Sequence, residues 1–208
     1  MIKFALPGMY EHYKVLIPLC SLIKIHPEYF YDNIEIGAVF GNFQFSCWDG
    51  GRIFFIDDYK HATREDIERL KYIYNQELNI PIRLIFTSVI TDKTICNSFF
   101  DNMVAHLCED PMNEIVVASG ILEEYLRATY PQYSFISSTT KCIKNPNEAK
   151  EELLNPNFKM SCIDYNLNKN KEFLDSIPID KRNKVEFLVN AICPPGCPSR
   201  KLHYKLNS

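Results

Sequence analysis

The chain lacks most of the marks by which a function is read at sight. No run of about 18 apolar residues is present, the length a membrane-crossing helix needs. The start, Met1-Ile2-Lys3-Phe4, lacks the charged-then-apolar layout of a secretion signal. Basic residues are not in excess: 23 stand against 26 acidic ones, a net charge of −3, which argues against an extended nucleic-acid surface. Glycine is scarce, with 7 in 208 residues. There is no phosphate-binding loop, no His-Glu-x-x-His helix and no nucleophile elbow. No Gly/Ser-rich linker or internal repeat divides the sequence. What remains is an ordinary globular profile, 46% apolar and 24% charged, sufficient for one sizeable core. The expectation is a single domain over 1–208, soluble and cytoplasmic, with no membrane association.

Apolar, β-branched or aromatic runs recur along the chain at Lys3–Leu6, Ile34–Phe40, Ile80–Phe86, Glu114–Ala118, Ser134–Ser137, Met160–Ile163 and Val185–Val189. Most are continuously apolar, as in Ile-Arg-Leu-Ile-Phe, which marks strands covered on both faces in a parallel sheet. Amphipathic stretches lie between them. Thr63 with Asp66 opens a helix that turns Ile67, Leu70, Ile73 and Tyr74 inward. Ser98 opens another, Ile121–Leu126 forms a third that Pro131 ends, and Phe173–Ile177 a fourth that Pro178 closes.

Repeated βα units leave an open doubly wound sheet or a (β/α)8 barrel. The first turn, Pro7-Gly8-Met9-Tyr10, carries one glycine where the dinucleotide fold needs several. The spacing of about 30 residues per unit is that of a TIM barrel. The favoured reading is an α/β barrel of this type with seven strands present. The stretch after Val189 is too short for an eighth βα unit, so strands one and seven should not pair, and a protein partner or a second copy would cover the open edge.

One segment breaks the rhythm. Phe43–Cys47 and Arg52–Ile56 flank Trp48-Asp49-Gly50-Gly51, and Asp-Gly between apolar stretches signals a hairpin, here over about 43–56. Such a hairpin would hang over the substrate face of a barrel, with Trp48 and Asp49 as contacts, or simply cap it.

Eight cysteines are scattered, and Cys20, Cys96 and Cys108 fall on helical stretches as core residues. Cys193 and Cys197 differ. They sit four apart in Cys193-Pro194-Pro195-Gly196-Cys197-Pro198, a stiff loop just past a strand. Thiolates so placed suit zinc or an iron–sulfur centre, although a pair is half of the usual four-ligand set. A redox pair or a plain turn are the alternatives.

Three passages resemble the collagenase-like peptidase superfamily, which includes ubiquinone- and RNA-hydroxylation proteins. Glu114–Leu122 followed by Tyr130-Pro131 is similar to the family's strand, polar turn and short helix. Phe135–Thr140 resembles its next strand with a Ser-Thr ending. Val185–Cys193 resembles its Glu-x-Phe-x-x-(His/Asn)-(Gly/Ala)-x-Cys strand. The resemblance covers about 80 residues. It implies a barrel enzyme and, by its hydroxylation members, a 4Fe–4S cluster on four cysteines, of which the matched positions supply Cys193 and Cys197. Zinc is the alternative cofactor.

Polar residues collect where strands should end: Thr87 and Ser88, Ser119, Thr139 and Thr140, Asp164 and Asn166, and Asn190. In a barrel these converge on one rim, where a small molecule or nucleotide would bind. Helix capping is the competing role for each. Glu11 with His12, and Arg200 and Lys201 with His203, are weaker candidates, and a solvated helix face is the favoured reading of the latter group. Three functions follow: iron–sulfur-dependent hydroxylation or a related redox step, hydrolysis of peptides or similar material, or a non-enzymatic zinc-binding or structural role.

Overall fold

The computed structural model describes residues 2–50, 62–90, 92–189 and 193–208. Seven strands form one sheet: β1 (Ile2–Pro7), β2 (Ile34–Gly41), β3 (Ile82–Phe86), β4 (Glu114–Val117), β5 (Ser134–Ser137), β6 (Met160–Cys162) and β7 (Val185–Glu186). They pair in sequence order, every neighbouring pair parallel. The helices between them are α1 (Tyr13–Ile25), α2 (Arg64–Lys71), α3 (Phe99–Leu107), α4 (Gly120–Thr129), α5 (Pro146–Leu154) and α6 (Lys171–Ser176), and α7 (Arg200–Leu206) ends the chain.

Local chemistry explains where these helices begin. Thr63 and Asp66 form a reciprocal capping box at α2. Ser98 accepts from the Asp101 amide at α3, Ser119 from the Leu122 amide at α4, and Asn145, just before Pro146, from the Asn147 and Glu148 amides at α5. At α6 the cap is Asn170, which accepts from the Phe173 amide. Two expected elements come out differently. The run at 185–189 is a strand only over Val185–Glu186. Residues 42–50 form consecutive turns rather than the first arm of a hairpin, because Phe43 and Trp48, five residues apart, are both driven fully into the core. Phe45 takes a positive φ of 73° in that bend. The second arm lies outside the described residues.

The sheet curls into a half-barrel. On a flat sheet β3 and β7 would stand about 19 Å apart, four strand spacings. Yet Arg83 of β3 reaches Glu186 of β7 at 2.6 Å, and its Nε meets Glu114 of β4 at 2.7 Å. Only a sheet wrapped on itself brings those side chains together. Alternation along β3 then sorts the faces. Arg83, Ile85 and Thr87 point into the barrel, while Ile82, Leu84 and Phe86 pack outward against the helix layer with Ile67, Leu70 and Leu122. A second, smaller apolar cluster joins Ala149, Leu153, Ile163, Leu167, Phe173 and Ile177 beside β6. Among the described residues no ladder joins β1 to β7, and Ile2, Phe4, Phe187 and Val189 are exposed along those two edges. None of the described helices is long and apolar enough to cross a membrane.

Arg83 is buried against Glu186 and Glu114, so removing it takes away the partner of Glu186, while Glu114 keeps Lys159. Arg83→Met should lower stability by about 3–5 kcal/mol in urea denaturation, and adding Glu186→Gln should recover part of that loss.

Candidate functional site

Because all strands are parallel, their C-terminal ends share one rim, and the inward-facing residues of successive strands enclose a cavity of about 320 Å³. Its floor is the Arg83–Glu186 pair, and Ile85, Val116, Ile136 and Leu188 line its middle. Ser138, Thr139, Thr140, Tyr165, Tyr204 and Thr87 ring the upper part, and Cys162 and Cys193 also face it.

The charges inside are balanced. The Arg83 Nη1 donates to both oxygens of Glu186, at 2.8 and 2.6 Å. Glu114, which takes the Arg83 Nε, also takes Lys159 at 2.6 Å. Most rim hydroxyls are committed as well. Ser138 and Thr140 bond each other at 2.8 Å, and Thr140 leans on the Thr87 carbonyl at 3.4 Å. Thr87 is the exception: the residue is 2% exposed, and among the described residues its Oγ1 has no hydrogen-bond partner. A buried hydroxyl in that state has lost water without replacement, which is unfavourable for the fold alone.

The residues expected at the rim divide into groups. Thr139, Thr140 and Asp164 are brought together there, and Thr139 and Thr140 line the cavity. Asp164 is spent inside the protein, with Oδ1 accepting from the Asn166 amide and side chain and Oδ2 from Arg200. Asn166 in turn accepts from the Gly196 amide at 2.8 Å. Ser119 caps α4 and donates to the Ile90 carbonyl at 2.7 Å. Trp48 lies in the core, edge-on to Phe86 at 4.8 Å, with its indole N–H on the Ile95 carbonyl at 2.7 Å. Asp49 is buried in the same loop. Asn190 lies outside the described residues.

The cysteine loop sits past the rim, held to the end of β6 by Tyr165, whose hydroxyl donates to the Pro194 carbonyl at 3.2 Å. Cys193 faces the cavity, whereas Cys197 is not part of its lining. Burial pushes the Cys162 thiol up to about 12, with the Glu186 charge adding to it, so this sulfur stays protonated at neutral pH. Among the described residues no three His, Cys, Asp or Glu side chains converge as a metal ion would require. A four-thiolate set is therefore not assembled by them.

Sequence reasoning missed Arg83, Glu186, Tyr165 and Tyr204, and it misread Arg200. Lys201 and His203 are solvated as the helix-face reading has it, but Arg200 is 1% exposed. A charged residue amid the continuously apolar run of β3 was the available signal for Arg83.

Comparison with known proteins bears on this architecture. No family model matches the chain, and no curated protein matches it. Among solved structures it is similar to one titled as that of the U32 peptidase Mk0906, with a TM-score of 0.64 and 15% identity over 100% of this chain and 76% of that one. The shared feature is the fold.

Thr87→Val tests whether the orphan hydroxyl serves the fold. Stability should stay within about 0.5 kcal/mol or rise, since an unsatisfied buried group is removed. Thermal and urea unfolding read the outcome, and a loss above that range would show that Thr87 bonds something structural.

Proposed function

We propose that this chain is a divergent barrel protein of the collagenase-like peptidase superfamily that takes a small, uncharged molecule into the half-barrel cavity. The observation that carries the reading is a cavity with apolar walls whose charged floor is already matched within the protein. The cavity, about 320 Å³, lies at the small end of the range for ligand sites. Among the described residues Arg83 is the one cation in its lining, and it is already held by Glu186 and Glu114, so these residues offer a phosphate no uncommitted positive charge. That favours a neutral molecule over a nucleotide. An apolar body would displace water from Ile85, Val116, Ile136 and Leu188.

The fold likeness to a U32 peptidase and the three sequence passages support the superfamily. Within it, iron–sulfur hydroxylation would need thiolates beyond the two cysteines of the loop, so that chemistry rests on the resemblance alone. Hydrolysis would need an activated nucleophile, and of the two thiols that face the cavity, Cys162 and Cys193, burial holds the first protonated. Binding is thus the step these residues support directly.

A thermal-shift screen of uncharged ring compounds against nucleoside phosphates tests the proposal. A ligand at 100 times its Kd should stabilise the protein by about 2.7 kcal/mol. Val116→Phe, which fills the cavity, should abolish that gain. Stabilisation by nucleotides but not by neutral compounds, or hits untouched by Val116→Phe, would overturn it.

A further inference from the structure

Helix α7 differs from the other helices in what holds it. Its only fully buried residue is Arg200, while Leu202 and Leu206 are 56% and 71% exposed. Helices of soluble domains are normally retained by an apolar face against the core. Here apolar burial contributes little, and polar contacts carry the attachment.

Those contacts converge on one guanidinium. The Arg200 Nη1 donates to the Asp164 carboxylate at 2.8 Å, and Nη2 donates to the Thr139 carbonyl and hydroxyl at 2.9 and 2.8 Å. Nε donates to the Tyr204 hydroxyl at 3.0 Å, within α7 itself. The Tyr165 ring stacks on the guanidinium with its centroid 4.1 Å from Cζ. Apart from Tyr204, every partner belongs to the rim after β5 and β6. A carboxylate, a carbonyl, a hydroxyl and an aromatic face arranged on a planar cation form a recognition site for guanidinium, which an ammonium cannot satisfy in the same way.

We propose that the rim carries a guanidinium-binding notch formed by Asp164, Thr139 and Tyr165, that Arg200 fills it as an internal ligand, and that α7 is thereby a displaceable strap across the cavity. Its far end is pinned more lightly. The Ser208 hydroxyl accepts from the Val89 amide at 3.0 Å and donates to the Tyr204 carbonyl at 2.7 Å, beside Gly50, where a Cβ would fall 2.5 Å from that hydroxyl. Between the two anchors Tyr204 closes part of the cavity wall. An arginine side chain or another guanidinium compound that enters the notch would release α7 and open the cavity. The inference stands apart from the identity of the cavity ligand.

Hydrogen exchange of residues 200–206, with methylguanidinium as the probe, decides it. In the wild-type chain methylguanidinium should speed exchange of α7 saturably, by about tenfold, while methylammonium at equal ionic strength should not. Ser208→Ala, which loosens only the far pin, should reach the same endpoint at lower methylguanidinium. Arg200→Ala should show fast exchange without the probe, faster alkylation of Cys162, and a rise in melting temperature on adding methylguanidinium that Asp164→Asn removes. Should Arg200→Ala fail to fold, the wild-type and Ser208→Ala titrations still decide the question. Exchange of α7 that ignores methylguanidinium in both, or responds equally to methylammonium, would overturn the notch.

Discussion

The contact between Arg83 and Glu186 is the constraint on which the rest of the molecule depends. An arginine inside a half-barrel is unfavourable unless its charge is matched, and here two carboxylates match it, one from the neighbouring β4 and one from β7 across the interior. Such an arrangement adds little net stability over a well-packed apolar one, but it specifies geometry. Glu186 must stand across the interior from β3, so the sheet has to curl, and β7 is placed at a fixed distance from the first half of the chain. The apolar cores show why that tie matters. The larger one gathers around β2 to β5, whereas the end of the chain has a cluster of six buried residues. Hydrophobic burial organises the first part, and the ion pair registers the second against it.

Above that floor the cavity follows almost by necessity. A pinned, hydrogen-bonded pair cannot be overlaid by arbitrary side chains without leaving polar atoms dry, so apolar residues retreat to the walls. Parallel strands then deliver hydroxyl-bearing turns to one rim. Most of those hydroxyls are consumed locally, as caps or in mutual bonds, because a helix start needs an acceptor more than a distant ligand does. What survives this competition is informative. Among the described residues the Thr87 Oγ1 has no hydrogen-bond partner, which sets it apart from the other rim hydroxyls.

The βα order, the barrel class and several caps were legible because they rest on short-range rules. Thr63 with Asp66 and Ser98 with Asp101 specify their helices within four residues, and the apolar runs specify strands covered on both faces. The site was less legible because it depends on which residues the curl sets opposite one another. Nothing local relates Arg83 to Glu186. Arg200 sits in Ser-Arg-Lys-Leu-His, which has the pattern of a solvated helix, and its burial follows only from the position of Asp164. The segment at 43–50 misled in the opposite way. Its Asp-Gly pair is a strong turn signal, but two bulky aromatic residues outweighed any strand, and burial of Trp48 fixed the loop instead.

The cysteine loop shows how one motif can serve two readings. Its prolines and glycine stiffen a turn, which suits a metal site, yet the contacts it makes in the fold are made by its backbone. Pro194 presents its carbonyl to Tyr165, and Gly196, at a φ of 74°, presents its amide to Asn166. Both partners lie immediately after Asp164. The loop is therefore anchored beside the carboxylate that Arg200 must reach, and its length from Gly196 to Arg200 delivers the guanidinium to that spot. The thiols of Cys193 and Cys197 take no part in this delivery. Loop stiffness has a structural cause in the strap, so the spacing of the two cysteines is not needed to explain why the loop is rigid. A metal role for them has to be carried by the sulfur atoms themselves, and the rigidity of Pro-Pro-Gly adds no weight to it.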